Sequence, residues 1–180
     1  MNIELAPAKE ADRETVRNLF QFYIHDLSEF GAYDVADDGS YAVPPGEANY
    51  WAQSADKRVM PWPQGWQGFP YLLRGDGMLA GFALVKQIGQ VPPIFDMGEF
   101  FVLRKFRRHG VGKYAAHALF DRHRGNWEIR EMLTNLPAQT FWRKIIRDYS
   151  DGEFTERREH FEVYRAEFIV QRFRSGQGVG

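Results

Sequence analysis

The chain has 180 residues, 44% of them hydrophobic and 26% charged, enough to bury one substantial core and too apolar for a disordered segment. Its net charge is −1, and the absence of cysteine excludes disulfides, thiolate metal sites and a Cys acyl-enzyme intermediate. The five histidines, His25, His109, His117, His123 and His160, lack metal-ligand spacing, so no metal site is expected.

The start of the chain has no basic stretch followed by an apolar run, and no apolar run approaches the ~20 residues a membrane helix needs, so a cytoplasmic protein without a membrane partner is expected. Ile3 to Leu5 reads as a short first strand. From Glu10 to Leu27, Val16, Leu19, Phe20, Tyr23, Ile24 and Leu27 recur at helical spacing and predict the first helix. Residues 28–68 are irregular and rich in Gly, Pro and aromatics, with one helix over 47–54. A connection of that length argues for a functional loop. Between Arg17 and Lys57 there is no Lys or Arg, while Asp26, Glu29, Asp34, Asp37, Asp38, Glu47 and Asp56 fall inside the gap among Phe30, Tyr33, Tyr41, Tyr50 and Trp51. Carboxylates mixed with rings suit a cationic amine. The alternative is a solvated loop with some rings tucked onto the core.

Phe69 to Arg74 and Met78 to Gln87 flank Gly75-Asp76-Gly77 and predict a hairpin, strands two and three. Pro92-Pro93 leads into strand four, Ile94 to Leu103, which runs into a basic turn, Arg104-Lys105-Phe106-Arg107-Arg108-His109-Gly110-Val111-Gly112-Lys113, opening a helix to about Arg124. Gly110 and Gly112 let the backbone approach a ligand, and the first N–H groups of the helix point into the turn. No acid occurs between Arg104 and Phe120, so the turn is self-repelling unless an anion or solvent neutralises it. Trp127 to Thr134 reads as strand five. Asn135 then stands as an N-cap before Pro137, in the first turn of a helix reaching Tyr149. Phe154 to Arg157 and Phe161 to Phe173 predict a closing antiparallel pair, and the tail from 175 to 180 is expected to fray. No linker or repeat divides the chain, which predicts one domain over 1–180.

An apolar strand, Phe100 to Leu103, precedes R-x-x-G-x-G at Arg107, Gly110 and Gly112. A small-residue helix, Tyr114-Ala115-Ala116-His117-Ala118-Leu119-Phe120, follows, and then Asn135-Leu136-Pro137-Ala138-Gln139-Thr140-Phe141-Trp142. In these features the chain resembles the GNAT superfamily of acetyl-CoA-dependent N-acetyltransferases, with an order of elements that fits from Ile3 to about Phe173. The resemblance implies a mixed α/β GNAT fold, a mostly antiparallel twisted sheet of about seven strands flanked by about four helices. It implies acetyl-CoA as cosubstrate, with pantetheine along Phe101, Val102 and Leu103, pyrophosphate on the turn from Arg107 through Arg108, His109, Gly110, Val111 and Gly112 to Lys113, and further contacts from Asn135 and Trp142. Residues 28–68 would be the acceptor-side insertion, and the reaction a direct transfer of acetyl to a primary amine, small and cationic, in a ternary complex. A non-catalytic acyl-CoA sensor of the same fold is the alternative. The resemblance also allows a homodimer. Nucleic acid is not expected as a partner, because the net charge is slightly negative and the aromatics lie away from the basic cluster.

Many members of the superfamily use a Glu on strand four or five as base. The candidates here are Glu99 and Asp96, then Glu131. In a regular strand Glu99 and Asp96 cannot point the same way, and Glu99 stands nearer the thioester position. Seven residues after the Asn, the superfamily commonly places a Tyr that protonates the leaving thiolate, whereas this chain has Trp142, whose indole cannot serve. Tyr149 and Tyr114 are candidate replacements.

Overall fold

The computed structural model describes residues 1–42, 67–88, 92–162 and 164–176. In chain order they form β1 (Ile3–Pro7), α1 (Arg13–Leu27), β2 (Gln67–Gly75), β3 (Met78–Ile88), β4 (Ile94–Val102), α2 (Val111–Arg122), β5 (Asn126–Met132), α3 (Leu136–Tyr149), β6 (Phe154–Phe161) and β7 (Ala166–Arg174). The seven strands make one sheet in the order β1-β2-β3-β4-β5-β7-β6. Every neighbouring pair is antiparallel except β4 with β5. Three α-helices are present among the described residues where about four were expected; the helix expected at 47–54 lies outside them.

Strand alternation sorts the core into two layers. Phe82, Leu84 and Phe101 face α1 and bury its Val16, Leu19, Phe20 and Ile24. Ala83, Val85, Phe95, Met97, Trp127 and Ile129 face the other way, onto Ala115, Ala116, Leu119 and Phe120 of α2 and Trp142, Ile145 and Ile146 of α3. Both faces of β3 are therefore covered, which explains its unbroken apolar run from Leu79 to Val85. No helix among the described residues is long and apolar enough to cross a membrane.

Two boundaries differ from the sequence reading. Glu10–Asp12 form a single 3-10 turn, and the α-helix begins only at Arg13. The last hairpin turns between Phe161 and Ala166, whereas the two strands expected over Phe154 to Arg157 and Phe161 to Phe173 left the charged run 158–160 between them. β6 is an edge strand, so these charges stay in the strand and pair across it, Arg158 with Glu167 and Glu159 with Arg172.

Candidate active site

β4 and β5 pair only through Ile94–Asn126, Phe95–Trp127 and Asp96–Glu128. Both strands continue beyond these pairs, so a wedge opens between them. On its other edge β4 is bonded to β3, where Leu84 pairs with Glu99 but Val85 with Met97, leaving Gly98 as a bulge. The extra residue restores parity, so Asp96 and Glu99 share the face that looks toward α1, contrary to the expectation for a regular strand. Leu103 N–H donates to Ala80 O at 2.8 Å, which fixes the alternation. The backbone groups of Phe101 and Leu103 turn toward β3, and those of Phe100 and Val102 face the wedge. The Val102 carbonyl accepts from Arg107 Nε at 2.7 Å.

At the end of β4, Arg104–Phe106 make one 3-10 turn, and Arg108 (φ 64°) and Gly110 (φ 82°) are both left-handed. Two such residues around His109 curl the chain so that successive N–H groups converge, an arrangement that favours anions. α2 starts immediately after Gly110 with no side-chain cap, and no atom lies within 4 Å of where a side chain at Gly110 would begin. Gly112 serves a different purpose: a Cβ there would meet the Phe141 ring at 3.1 Å, so its absence lets α3 come close.

The turn is less self-repelling than its sequence implies. Asp26 of α1 accepts from Arg104 Nη2 at 2.7 Å and also pairs with Arg107, while Lys113 Nζ meets Asp148 of α3 at 2.8 Å. Burial pushes the Asp26 carboxyl up, but hydrogen bonds from Arg107 and Arg104 outweigh it and hold the group below the usual carboxylate range. Asp26, one of the acids grouped with the acceptor loop, thus belongs to this turn. Arg108 and His109 have no ion pair among the described residues.

Glu99 lies three residues past the last β4–β5 pair. Burial pushes its carboxyl up to about 7, against the pull of a Tyr23 hydrogen bond and the Lys86 charge. Its protonation is therefore poised near neutrality, as a general base requires. Asp96, only 1% exposed, is engaged differently: Lys86 Nζ stands 3.3 Å away and Arg130 pairs with the same oxygen. Arg130 lies over the Phe161 ring at 5.0 Å, and Arg172 joins Glu128 at 2.7 Å to Glu159, so a ladder of ion pairs runs from Lys86 across β5 and β7 to β6. The segment after α1 crosses to the end of β5, where Thr134 Oγ1 donates to Phe30 O at 2.7 Å and Tyr33 Oη meets Met132 Sδ at 4.0 Å. Burial and the charge of Glu99 both raise the Tyr33 hydroxyl, which places that ring near the carboxyl.

The sequence model of the Acetyltransferase (GNAT) family matches residues 30–146, well over half of the chain. The chain belongs to the GNAT acetyltransferase family. Its fold is that of solved GNAT structures. An acetyltransferase of the GNAT family from Staphylococcus aureus Mu50 superposes with a TM-score of 0.61 at 14% identity, over 96% of this chain and 99% of that one. The ribosomal-protein-S18-alanine N-acetyltransferase from Escherichia coli gives 0.55 at 12%, over 99% of each. Nourseothricin acetyltransferase gives 0.57 at 17%, over 98% and 100%. No curated protein matches in sequence.

Within this GNAT chain Asn135 caps α3, its Oδ1 accepting from Ala138 N–H at 3.1 Å. Trp142 is buried, edge-on to Phe100 at 5.0 Å and to Phe141 at 4.9 Å, and so belongs to the core beneath the wedge. Tyr149 donates to Asp121 Oδ1 at 2.7 Å, its ring packed on Phe120 and Phe173, and Tyr114 is exposed. Glu131 points away from Glu99, under α3. Its two oxygens have no hydrogen-bond partner among the described residues, and burial, reinforced by Glu156, raises its carboxyl to about 8 against the pull of Arg143. Sequence reasoning missed Tyr23, Lys86 and Arg130 as site residues. The only sequence signal for Tyr23 was a hydroxyl-bearing ring on an otherwise apolar helix face.

Proposed function

We propose that this GNAT acetyltransferase moves acetyl from acetyl-CoA to a primary amine by direct attack in a ternary complex, and that the acceptor is small and cationic. The observation that carries the reading is Glu99: a carboxyl poised near pH 7, placed where β4 and β5 part and turned toward the loop that follows α1. The thioester supplies the activated acyl group. In this reading the backbone of Phe100 and Val102, beside Phe101 and Leu103, aligns the pantetheine arm. The uncapped N–H groups of Val111, Gly112 and Lys113, with Arg107, Arg108, His109 and Gly110, hold the pyrophosphate. Asn135 fixes the start of α3 beside the wedge. Glu99 takes a proton from the acceptor ammonium, freeing its lone pair to attack the thioester carbon. Asp96 neutralises Lys86 and Arg130 next to the base, and Trp142 supplies no proton to the leaving thiolate. The chain would act as one domain in the cytoplasm.

Trp142 favours one alternative, an acyl-CoA-binding sensor that does not turn over. Two variants separate the readings. Acetyl-CoA should raise the Tm, and Gly112→Glu should abolish that rise; the variant's own Tm should be lower, because its side chain meets the Phe141 ring, while its helix content by circular dichroism is retained. Glu99→Gln should keep the rise and cut kcat by ~10² to 10⁴. A rise in Tm with no acetylation across a panel of amines would favour the sensor. No rise with millimolar acetyl-CoA would overturn both.

A further inference from the structure

Glu99 is held from α1, an element that the sequence reading treated only as packing. Tyr23 sits one helical turn before Asp26, so both point from the same side of α1, Tyr23 to Glu99 and Asp26 to Arg104 and Arg107. The Tyr23 ring is fenced by Phe20 at 5.8 Å, Phe82 at 5.8 Å and Phe101 at 5.7 Å. Rings on three sides leave the hydroxyl little freedom except along the direction of the carboxyl. Asp26 ties the same stretch of helix to the cofactor turn, which fixes α1 lengthwise against β4.

We propose that Tyr23 is a positioning residue for the general base, its hydroxyl donating to the Glu99 carboxylate so as to aim it into the wedge and favour its ionised form. This inference rests on Glu99 acting as the base. A hydrogen bond to the charged form lowers a carboxyl pKa, and here it opposes a burial that raises it. Among the described residues, the groups that act on Glu99 are Tyr23 from α1, Tyr33 from the segment after α1, and Lys86 from β3, the last shared with Asp96 and close to Arg130 of β5. Lys86 is pulled toward Asp96. Tyr33 meets Met132 at its hydroxyl. Tyr23 bonds Glu99 from α1, in a hydrogen bond to its side chain.

The test is Tyr23→Phe, which keeps the ring and removes only the donor. The Glu99 carboxyl should be titrated by carbon-detected NMR, assigned by difference from Glu99→Gln, in parallel with kcat/KM against pH. In Tyr23→Phe the Glu99 midpoint should rise by about one unit, and the acid limb of the rate profile should move up with it. The loss should therefore be about tenfold below the limb and small on the plateau. Replacing Tyr23 with a fluorotyrosine, a stronger donor, should move the midpoint the other way. An unmoved Glu99 midpoint in Tyr23→Phe, or a uniform loss of rate at every pH, would overturn the proposal. The NMR readout is independent of turnover. If Glu99→Gln leaves kcat unchanged, the base reading fails, whereas the titration still decides whether Tyr23 controls Glu99.

Discussion

Glu99 and Glu131 sit on opposite faces of the sheet and are held differently. Glu99 has a donor and a cation; Glu131, 4% exposed, has no hydrogen bond among the described residues and the like charge of Glu156 nearby. A folded-state value of about 8 against 4.5 in the unfolded chain means that Glu131 stays protonated while the unfolded state ionises. Its contribution to stability is fully present below pH 4.5 and is lost progressively as the pH rises to about 8. Glu131→Gln, which cannot ionise, should melt near the parent temperature at pH 5 and several degrees above it at pH 8.5. Parallel melting curves for the two proteins across that range would mean that Glu131 is solvated or paired in solution. The glycine turn was legible in the sequence because its residues are contiguous. The orphan status of Glu131 was not, because strand position alone does not tell which carboxyl finds a partner across the sheet.

At the level of elements, the order of strands and helices followed from periodicity and punctuation, and it was right to within a few residues. What periodicity could not reveal were departures from regularity and contacts distant along the chain. The Gly98 bulge turns Asp96 and Glu99 onto one face, and the counter-ions of the basic turn, Asp26 and Asp148, come from two different helices. The second half of the charged edge strand β6 was left out of the expected strand because pairing with β7 leaves no local pattern. α3 shows the same limit, since a helical aromatic after an Asn cap reads equally as packing or chemistry. Its packing gives a definite expectation: Trp142 supports Phe100 from below, so Trp142→Phe should leave a cavity that costs ~1–3 kcal/mol. The rate per folded molecule should stay within a few-fold of the parent, because no proton comes from the indole. Loss of turnover with folding and the acetyl-CoA shift intact would instead make the indole part of how the thioester is placed.

Across the described residues the charges are segregated, although the whole chain sums to only −1. Cations gather at the turn after β4, where an anion is expected. Acids gather in the segment after α1, which reaches over to β5 through Phe30 and Tyr33. Asp26 is consumed by the turn, but Glu29, Asp34, Asp37 and Asp38 are exposed and have no ion-pair partner among the described residues. These four exposed carboxylates on the segment after α1 set up a negative potential whose reach is limited by the screening length, about 10 Å at 0.1 M salt. A cationic amine should therefore be drawn toward Glu99, and the attraction should weaken as salt is added. For a diamine or guanidino-amine accepted by the enzyme, kcat/KM should fall as ionic strength rises from ~0.02 to ~0.3 M, over which the screening length shrinks from ~22 to ~6 Å, with the effect carried by KM. A neutral amine of equal size should show a much flatter profile. Acetyl-CoA should be salt-sensitive for a different reason, its attraction to Arg108, so each substrate is varied with the other saturating. A KM for the cationic amine indifferent to salt, or a preference for anionic acceptors, would show that this acidic segment is a solvated surface and that recognition lies in the ion-pair ladder beneath Glu99.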